Sequence, residues 1–149
     1  MTQLRPNLHG IPVPRMSPES VEYWAGTRAG ELRHQRCAAC ATANFGPGLA
    51  CRACRSRDLD WVVGGGIGTV YSWTVVWRPQ TPAFEVPYAP AIVRLDEGHD
   101  LLTALIGLDH TDIVEGLRVA VEFHPISDEI TLPFFRPAPD RPAPDRPDR

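Results

Sequence analysis

The chain has 149 residues and a formal net charge of −3; 43% of its residues are hydrophobic and 22% are charged. A chain of this length suits one ordinary domain, or two small ones that share a core. The acidic balance argues against a general nucleic-acid binder, and no apolar run approaches the roughly 20 residues that a membrane helix needs. Because the first residues form no apolar signal segment, we expect a soluble protein of the cytoplasm.

Residues 1–30 predict an extended arm followed by one short helix. Three prolines and little periodicity mark the arm, which ends at Met16. The helix signal is an N-cap serine, a proline at the first helical position and an acid in the first turn, at Ser17, Pro18 and Glu19. The helix should end at Thr27 or Arg28, before a glycine.

Residues 31–63 contain all four cysteines of the chain, arranged as two Cys-x-x-Cys pairs with ten residues between them. Each pair can form a tight knuckle turn, and the two knuckles can face each other around one tetrahedral ion. A closed shell of four thiolates leaves no position for a substrate, so we expect one structural Zn²⁺. Its ligands would be Cys37, Cys40, Cys51 and Cys54.

The cysteine spacing alone also fits a rubredoxin-type iron site, two disulfides or four free thiols. The absence of an export signal favours metal over disulfides, because the cytosol is reducing. Short strands over residues 31–35 and 59–63 would complete a zinc ribbon. A ribbon of this size usually needs its metal to fold.

Residues 64–136 predict a small β-barrel. A glycine-rich entry lacks the third glycine of a phosphate loop and precedes no helix. Five segments rich in β-branched and aromatic residues predict strands, over residues 69–77, 91–95, 101–108, 118–123 and 130–135. A proline-rich loop separates the first two. Five strands with one longer linker match a Greek-key barrel of OB type.

The predicted fold is therefore mainly β, with an N-terminal helical arm, a rubredoxin-like zinc ribbon and a C-terminal five-stranded OB-fold barrel. The tail, residues 137–149, repeats proline and charge. Such a segment cannot form a core, so we expect it to be disordered.

The order of these parts resembles the DUF35 family, the acyl-CoA-associated zinc-ribbon and OB-fold proteins, over about residues 17–136. The matching motifs are YW at 23–24, GEL at 30–32, QRC at 35–37, both Cys-x-x-Cys pairs, LxW at 59–61, GTVYS at 68–72, PY at 87–88, LDEG at 95–98 and TLPxF at 131–135. Two positions depart from the family pattern. Ala41 stands where relatives often carry glycine, which should strain the first knuckle, and Pro90 should delay the second barrel strand until after it.

The resemblance implies an accessory role. Members of this family associate with thiolase-superfamily enzymes or hot-dog-fold hydratases that act on CoA thioesters, in some cases in sterol side-chain breakdown. The partner is thought to supply the catalytic groups, while the barrel holds or passes the acyl-CoA. We therefore expect a non-catalytic subunit of a hetero-oligomer with a thiolase-like or aldolase enzyme.

The residues agree that catalytic groups are scarce. The chain has no lysine, so a Schiff base or a lysine general base is excluded. It lacks the G-x-S-x-G and H-E-x-x-H patterns, and metal binding would leave no cysteine for a thioester intermediate. His110, flanked by Asp109 and Asp112, is the only pairing that resembles an acid–base group, and a polar surface loop explains it better.

Aromatic and arginine side chains are candidate contacts to a partner or to acyl-CoA: Trp24, Trp77, Arg78, Phe84 and Tyr88. Two other functions stay open. A free-standing acyl-CoA carrier would pair CoA phosphates with arginines such as Arg78, Arg94 and Arg118. A single-stranded nucleic-acid binder would stack bases on Tyr71 and Trp73, although the acidic balance makes nucleic acid the weaker hypothesis.

Overall fold

The computed structural model describes residues 2–139. They form an N-terminal arm and helix, a three-stranded ribbon sheet and a closed five-stranded barrel. The predicted mainly β fold is therefore confirmed. Most of the predicted disordered tail, residues 140–149, lies outside the described residues.

Residues 2–16 of the arm contain no helix and no named strand, and the first of them belong to the barrel. Leu4 is only 2% exposed and is part of the barrel core. Its N–H donates to the Leu108 carbonyl at 2.8 Å, and its own carbonyl accepts from the Gly107 N–H at 2.9 Å. One leucine thus docks the arm along the segment that follows the third barrel strand.

The helix begins and ends where the sequence predicts. A 3₁₀ turn over Pro18–Ser20 leads directly into α1, Val21–Arg28. At its start, the Ser17 N–H donates to Ser20 Oγ at 2.8 Å, and the Ser20 N–H donates to the Ser17 carbonyl at 2.9 Å. After its end, Gly30 has a φ of 77°, which directs the chain away from the helix axis.

Three antiparallel strands form the ribbon sheet in the order β2-β1-β3, with β1 at Arg33–Cys37, β2 at Ala43–Asn44 and β3 at Leu59–Val63. β3 has the predicted bounds, β1 begins later than predicted, and the short β2 has no counterpart in the prediction. The late start of β1 follows from the helix exit, since the Glu31 N–H donates to the Gly26 carbonyl at 2.8 Å and takes no part in strand pairing.

The barrel strands are β4 Ile67–Trp73, β5 Ala89–Leu95, β6 Asp100–Leu105, β7 Arg118–Pro125 and β8 Thr131–Pro137. They close in the order β4-β5-β6-β8-β7. All paired neighbours are antiparallel except β6 and β8, which meet in parallel. The centre of the core contains Val70, Val93, Val119 and Phe135, each at most 1% exposed.

Pro90 lies inside β5, so the prediction that this strand begins after the proline is wrong. Pro90 pairs with Ala104 of β6, and its carbonyl accepts the Thr74 N–H at 3.1 Å. The nitrogen and the carbonyl oxygen of one strand residue point to the same side. The N–H that proline lacks would therefore face the end of β4, and the β5–β6 ladder loses no donor.

β4 starts earlier than the predicted segment 69–77 and stops before its end. It can start within the glycine-rich entry because Gly68 lies against β5, where a Cβ would collide with the Arg94 backbone. Beyond β4, contact with β5 continues through the Thr74 hydrogen bond to Pro90, and an isolated bridge follows between Val76 and Tyr88.

The ends of the last three strands also differ from the prediction. β6 stops at Leu105, three residues early, because beyond its pairing with Phe135 of β8 the chain bonds to the N-terminal arm instead. The Ile106 N–H donates to the Phe135 carbonyl, and the Gly107 N–H donates to the Leu4 carbonyl, both at 2.9 Å. β7 and β8 each continue two residues further than predicted, so β8 includes the first residue of the predicted tail.

Candidate metal centre and partner-binding surface

Two turns of the same geometry carry the four cysteines. In the first turn the Ala41 N–H donates to the Cys37 carbonyl at 2.8 Å, and in the second the Arg55 N–H donates to the Cys51 carbonyl at 2.9 Å. Ala41 and Arg55 have φ values of 61° and 63°, in the left-handed region that favours glycine. The strain expected at Ala41 is therefore present, and Arg55 shares it.

The four sulfurs form a compact cluster. Cys37 Sγ lies 3.6 Å from Cys54 Sγ, Cys40 Sγ lies 3.7 Å from Cys51 Sγ, and all four atoms lie within 4.8 Å of one another. Four sulfurs placed tetrahedrally about 2.3 Å from a zinc ion would be about 3.8 Å apart, so the cluster fits the ion. The cysteines are free thiols rather than disulfides. As predicted, they are arranged to hold one structural Zn²⁺.

Backbone donors prepare Cys51 for metal binding. The amide of Cys54 and then that of Ala53, with the Asn44 side chain, lower the pKa of the Cys51 thiol to about 6. A cysteine binds metal as the thiolate. These donors therefore favour the form of Cys51 that a metal requires.

Asn44, on β2, ties the two knuckles together, and the sequence analysis missed it. Its Nδ2 donates to the Thr42 carbonyl at 3.0 Å, and its Oδ1 accepts the Arg52 N–H at 2.9 Å. Its Nδ2 also lies 3.7 Å from Cys51 Sγ. No local pattern marks this asparagine, because its partners belong to two separate turns.

A stack of rings joins the ribbon to the barrel. His34 of β1 and His99, in the turn before β6, have ring centroids 4.8 Å apart. Phe45 of the ribbon stacks with His99, with ring centroids 5.9 Å apart. Tyr23 of α1 meets Phe45 edge-on, with ring centroids 5.8 Å apart. The helix, the ribbon and the barrel therefore meet at this junction.

The two histidines of the junction are buried and poorly hydrogen-bonded. Within residues 2–139, both ring nitrogens of His99 and Nδ1 of His34 lack a hydrogen-bond partner. Burial lowers the pKa of His99 to about 4 and also lowers the pKa of His34. The junction therefore favours neutral imidazoles.

The segment 77–88, which we call the aromatic loop, contains four of the five predicted contact residues, including the exposed Arg78. A bridge closes its base, with the Val76 N–H donating to the Tyr88 carbonyl at 2.8 Å. Phe84 stacks on Tyr88 with ring centroids 5.4 Å apart. Trp77 is 59% exposed, and its ring meets the His110 ring edge-on, with the ring centroids 5.0 Å apart.

Trp24, the fifth predicted contact, lies apart from the aromatic loop. It is half-buried on α1 and lines an apolar groove of about 460 Å³. The walls of this groove come from α1, the ribbon, β5, β6 and β8, and include Tyr23, Phe45, Leu102 and Phe134. Within the described chain, the aromatic loop contributes no residue to this groove. The five predicted contact residues thus lie in two separate places on the surface.

The residues named for the alternative functions are largely engaged within the chain. Arg94 donates two hydrogen bonds to Asp100, at 2.9 and 3.2 Å, and Arg118 donates two to Asp96, both at 2.8 Å. These arginines lower the pKa of the two carboxyl groups. Arg94 also lies 4.4 Å from the centre of the Tyr71 ring, on a face that a base would need for stacking.

His110 belongs to a capped turn. Its Nδ1 lies 3.2 Å from Asp109 Oδ1, but the same oxygen accepts the Thr111 N–H at 3.0 Å and the Thr111 hydroxyl at 2.7 Å. The backbone amide of Thr111 is the main cause that lowers the pKa of Asp109. The carboxylate therefore caps the 3₁₀ turn His110–Asp112.

In the part of the chain that the structure describes, no helix has both the length and the apolar character needed to cross a membrane.

Four clustered cysteines on a ribbon that leads into a closed five-stranded barrel define the class of a zinc-ribbon and OB-fold protein. Comparison with known families agrees. Residues 24–60 match the family described as "ChsH2, rubredoxin-like zinc ribbon domain", and residues 61–124 match "ChsH2, C-terminal OB-fold domain". The chain belongs to the DUF35 family of ChsH2 type, which confirms the resemblance seen in its motifs.

Several characterised proteins are similar to this chain. A solved chain described as "Ltp2-ChsH2(DUF35) aldolase" is 39% identical with a TM-score of 0.76, and the match covers 84% of this chain and 98% of that one. A probable enoyl-CoA hydratase alpha subunit of Thermomonospora curvata is 40% identical over 85% of this chain. A 3-oxo-4,17-pregnadiene-20-carboxyl-CoA hydratase alpha subunit of Mycobacterium tuberculosis is 33% identical over 77% of this chain.

The chain spans only 40% and 37% of the length of these two hydratase subunits. The names of these three similar proteins describe two hydratase alpha subunits and an Ltp2-ChsH2(DUF35) aldolase, which supports an accessory-subunit role here. The contacts expected at Trp24 and in the aromatic loop stay predictions.

Proposed function

We propose that this chain is an accessory subunit that binds a thiolase-like enzyme of the retro-aldolase type. It helps to hold or pass the acyl-CoA substrate of that enzyme, in the degradation of sterol side chains or fatty acyl groups. The observation that carries this proposal is the likeness to a chain of an aldolase complex over 98% of that chain's length. The CoA thioester in the name of the Mycobacterium tuberculosis relative supports the substrate class.

An aldolase partner is better supported than a hydratase partner. More than half of each hydratase subunit lies outside the match, so its hydratase function can reside in the part that this chain lacks. The solved aldolase chain, in contrast, is matched almost completely. Association with an aldolase therefore requires no segment beyond the ones described.

The zinc site fits a structural role in this assembly. Cys37, Cys40, Cys51 and Cys54 would hold the ion with four thiolates, and a bound Zn²⁺ would supply folding energy rather than an open coordination position. The catalytic groups would then come from the partner.

The aromatic loop is our candidate for the partner contact. Exposed tryptophan, tyrosine and phenylalanine side chains dominate the energy of many protein interfaces. Trp77 presents more than half of its surface to solvent, and Phe84 is held against Tyr88. Such pre-positioned rings lose little conformational entropy on binding.

The apolar groove beside Trp24 is our candidate for the acyl group. Its volume of about 460 Å³ lies within the range of about 300–1,000 Å³ that is typical of small-molecule sites. Its walls are almost entirely apolar side chains, which suits a hydrocarbon and not the CoA phosphates. Arg78, which lies on the aromatic loop, is the exposed arginine that we would first test against those phosphates.

Affinity purification of the tagged protein from its own cells, followed by mass spectrometry, tests the proposal. We expect a thiolase-like protein in near-stoichiometric amount. Phe84→Ala and Trp77→Ala should reduce its recovery, whereas Leu49→Ala, at a residue that is 77% exposed on the ribbon, should not. Recovery of the intact zinc protein alone would contradict the proposal.

Calorimetry then separates the accessory role from a free-standing carrier. Acyl-CoA titrated into the purified protein should give heat only when the partner is present, and Trp24→Ala should weaken that binding. Tight binding without the partner would favour the carrier. A salt-sensitive shift of a labelled oligonucleotide would instead favour the nucleic-acid hypothesis.

A further inference from the structure

Asn7 of the N-terminal arm holds the backbone of the aromatic loop. Its Oδ1 accepts the Glu85 N–H at 2.7 Å, and its Nδ2 donates to the Glu85 carbonyl at 3.3 Å. A single side-chain amide thus satisfies both backbone polar groups of one loop residue, as a neighbouring strand would. Glu85 directly follows Phe84, so this contact also restricts the position of the Phe84 ring.

The arm supports the start of the same loop through a second contact. Gln3 forms an antiparallel bridge with Asp109. His110, which follows Asp109 in the chain, packs its ring against that of Trp77, with the ring centroids 5.0 Å apart. The arm therefore braces the aromatic loop near both of its ends.

The arm can act in this way because it is itself anchored. Between Gln3 and Asn7, the side chain of Leu4 is buried in the barrel core and its backbone is hydrogen-bonded to Leu108 and Gly107. An anchored leucine three residues from Asn7 leaves that amide little freedom to move away.

The arm and the aromatic loop are not packed closely along their whole length, so packing alone does not hold them together. A polar cavity of about 380 Å³ separates the arm from the loop, lined by Thr2, Gln3, Arg5, Glu85, Val86 and Pro87. The two segments are thus apart along part of their length. The hydrogen bonds of Asn7 bridge them directly.

We propose that the arm, residues 2–7, is a clamp that holds the aromatic loop in its partner-binding conformation, with Asn7 as the positioning residue. This inference rests on the proposed function, because it takes the aromatic loop as the partner contact. A clamped loop has already lost the conformational freedom that binding would otherwise remove. The clamp therefore raises affinity without touching the partner.

Hydrogen–deuterium exchange of the free protein tests the clamp without any partner. In Asn7→Ala, peptides that cover residues 80–88 should exchange about tenfold faster, because the Glu85 amide loses its acceptor. Gln3→Ala is the matched control, since it removes an exposed amide from the same arm and keeps the backbone bridge. Equal loop exchange in Asn7→Ala and the unchanged protein would overturn the clamp.

Affinity for the copurified thiolase-like protein, measured by biolayer interferometry, tests the consequence. Asn7→Ala should weaken binding about tenfold, with unchanged zinc content, and Gln3→Ala should not weaken it. In the Phe84→Ala background, Asn7→Ala should have a much smaller effect, because the ring that it positions is gone. A purely structural role of Asn7 would give equal effects in both backgrounds.

The outcomes distinguish the two proposals. If Phe84→Ala weakens binding and Asn7→Ala does not, or if their effects are additive, the clamp is wrong and the loop contact stands. If Phe84→Ala and Trp77→Ala both bind normally, the loop is not the partner contact, and the proposed role of the clamp fails with it.

Discussion

The ribbon and the barrel are stabilised in different ways. The ribbon gathers four thiols from two turns that are close in sequence, and two of those cysteines, Cys37 and Cys51, are among its most buried residues. The barrel instead closes through the β4–β7 and β6–β8 pairs, which are distant in sequence, around a core of aliphatic side chains and Phe135. The stability of the ribbon therefore depends on a metal ion, and the stability of the barrel depends on the burial of apolar side chains.

Removal of the metal should cause the largest loss of stability, and the loss should be confined to the ribbon. A strong chelator should abolish hydrogen-exchange protection in β1 and β3, because the free energy of zinc binding, about 10–16 kcal/mol in small structural sites, is folding free energy there. Protection in β5 and β7 should persist. Exchange measured by mass spectrometry before and after chelation checks this, and simultaneous loss in both halves would show that they fold as a single unit.

Two leucines of β6 should show how strongly the barrel depends on apolar burial. Leu105 is 1% exposed and Leu102 is 72% exposed. Leu105→Ala should lower the free energy of unfolding by about 2–5 kcal/mol, whereas Leu102→Ala should change it by less than about 0.5 kcal/mol. Urea unfolding of the zinc-bound protein measures both. Similar losses in the two variants would contradict the assignment of the core.

Acid should weaken the junction between the two halves. The pKa of His99 is about 4 in the folded protein and about 6.5 when it is unfolded, so only the unfolded state gains the proton between these values. The contribution of His99 to stability should be complete above pH 6.5 and fall by on the order of 3 kcal/mol as the pH drops to 4.

The variant His99→Phe isolates this contribution. Urea unfolding at a series of pH values should show a smaller acid-induced loss in His99→Phe than in the unchanged protein. His9→Phe, at an exposed histidine of the arm, should retain the full loss. Protonation of the zinc ligands affects all three proteins alike, so parallel curves would exclude His99 as the sensitive group.

The smallest predicted effect concerns Asn44, which orients the ribbon without binding the ion. Asn44→Ala removes hydrogen bonds to both knuckles and a contact to Cys51 Sγ. It should lower zinc affinity about tenfold, the lower end of the range for residues that support metal ligands. Competition with a coloured chelator measures this, with Asn7→Ala as a control. Unchanged affinity would show that the knuckles hold their geometry alone.

What the sequence predicted well depends on local information. The spacing of Cys37, Cys40, Cys51 and Cys54 predicts the ribbon because a knuckle is built from consecutive residues. The helix start is likewise local, since its serine cap and proline are neighbours in the chain. Runs of β-branched and aromatic residues revealed that barrel strands exist.

Strand ends and junction residues were predicted poorly because distant parts of the chain decide them. β6 stops where Gly107 bonds to Leu4 of the N-terminal arm, and Pro90 is tolerated because of where β4 ends. His99 has its role only next to His34 and Phe45, which are far away in the chain, and Asn44 only because it lies between two separate turns. No local pattern could mark them, and no local pattern separated Trp24 from the aromatic loop.

The docking of Leu4 against Leu108 has a consequence for the order in which the chain is made. The two residues are about a hundred positions apart, and translation adds about 5–20 residues each second. The arm is therefore synthesised before the segment that receives it and can dock only after a wait on the order of ten seconds. During this interval Leu4 has no barrel core to enter, so the arm stays unanchored until the barrel strands have been made.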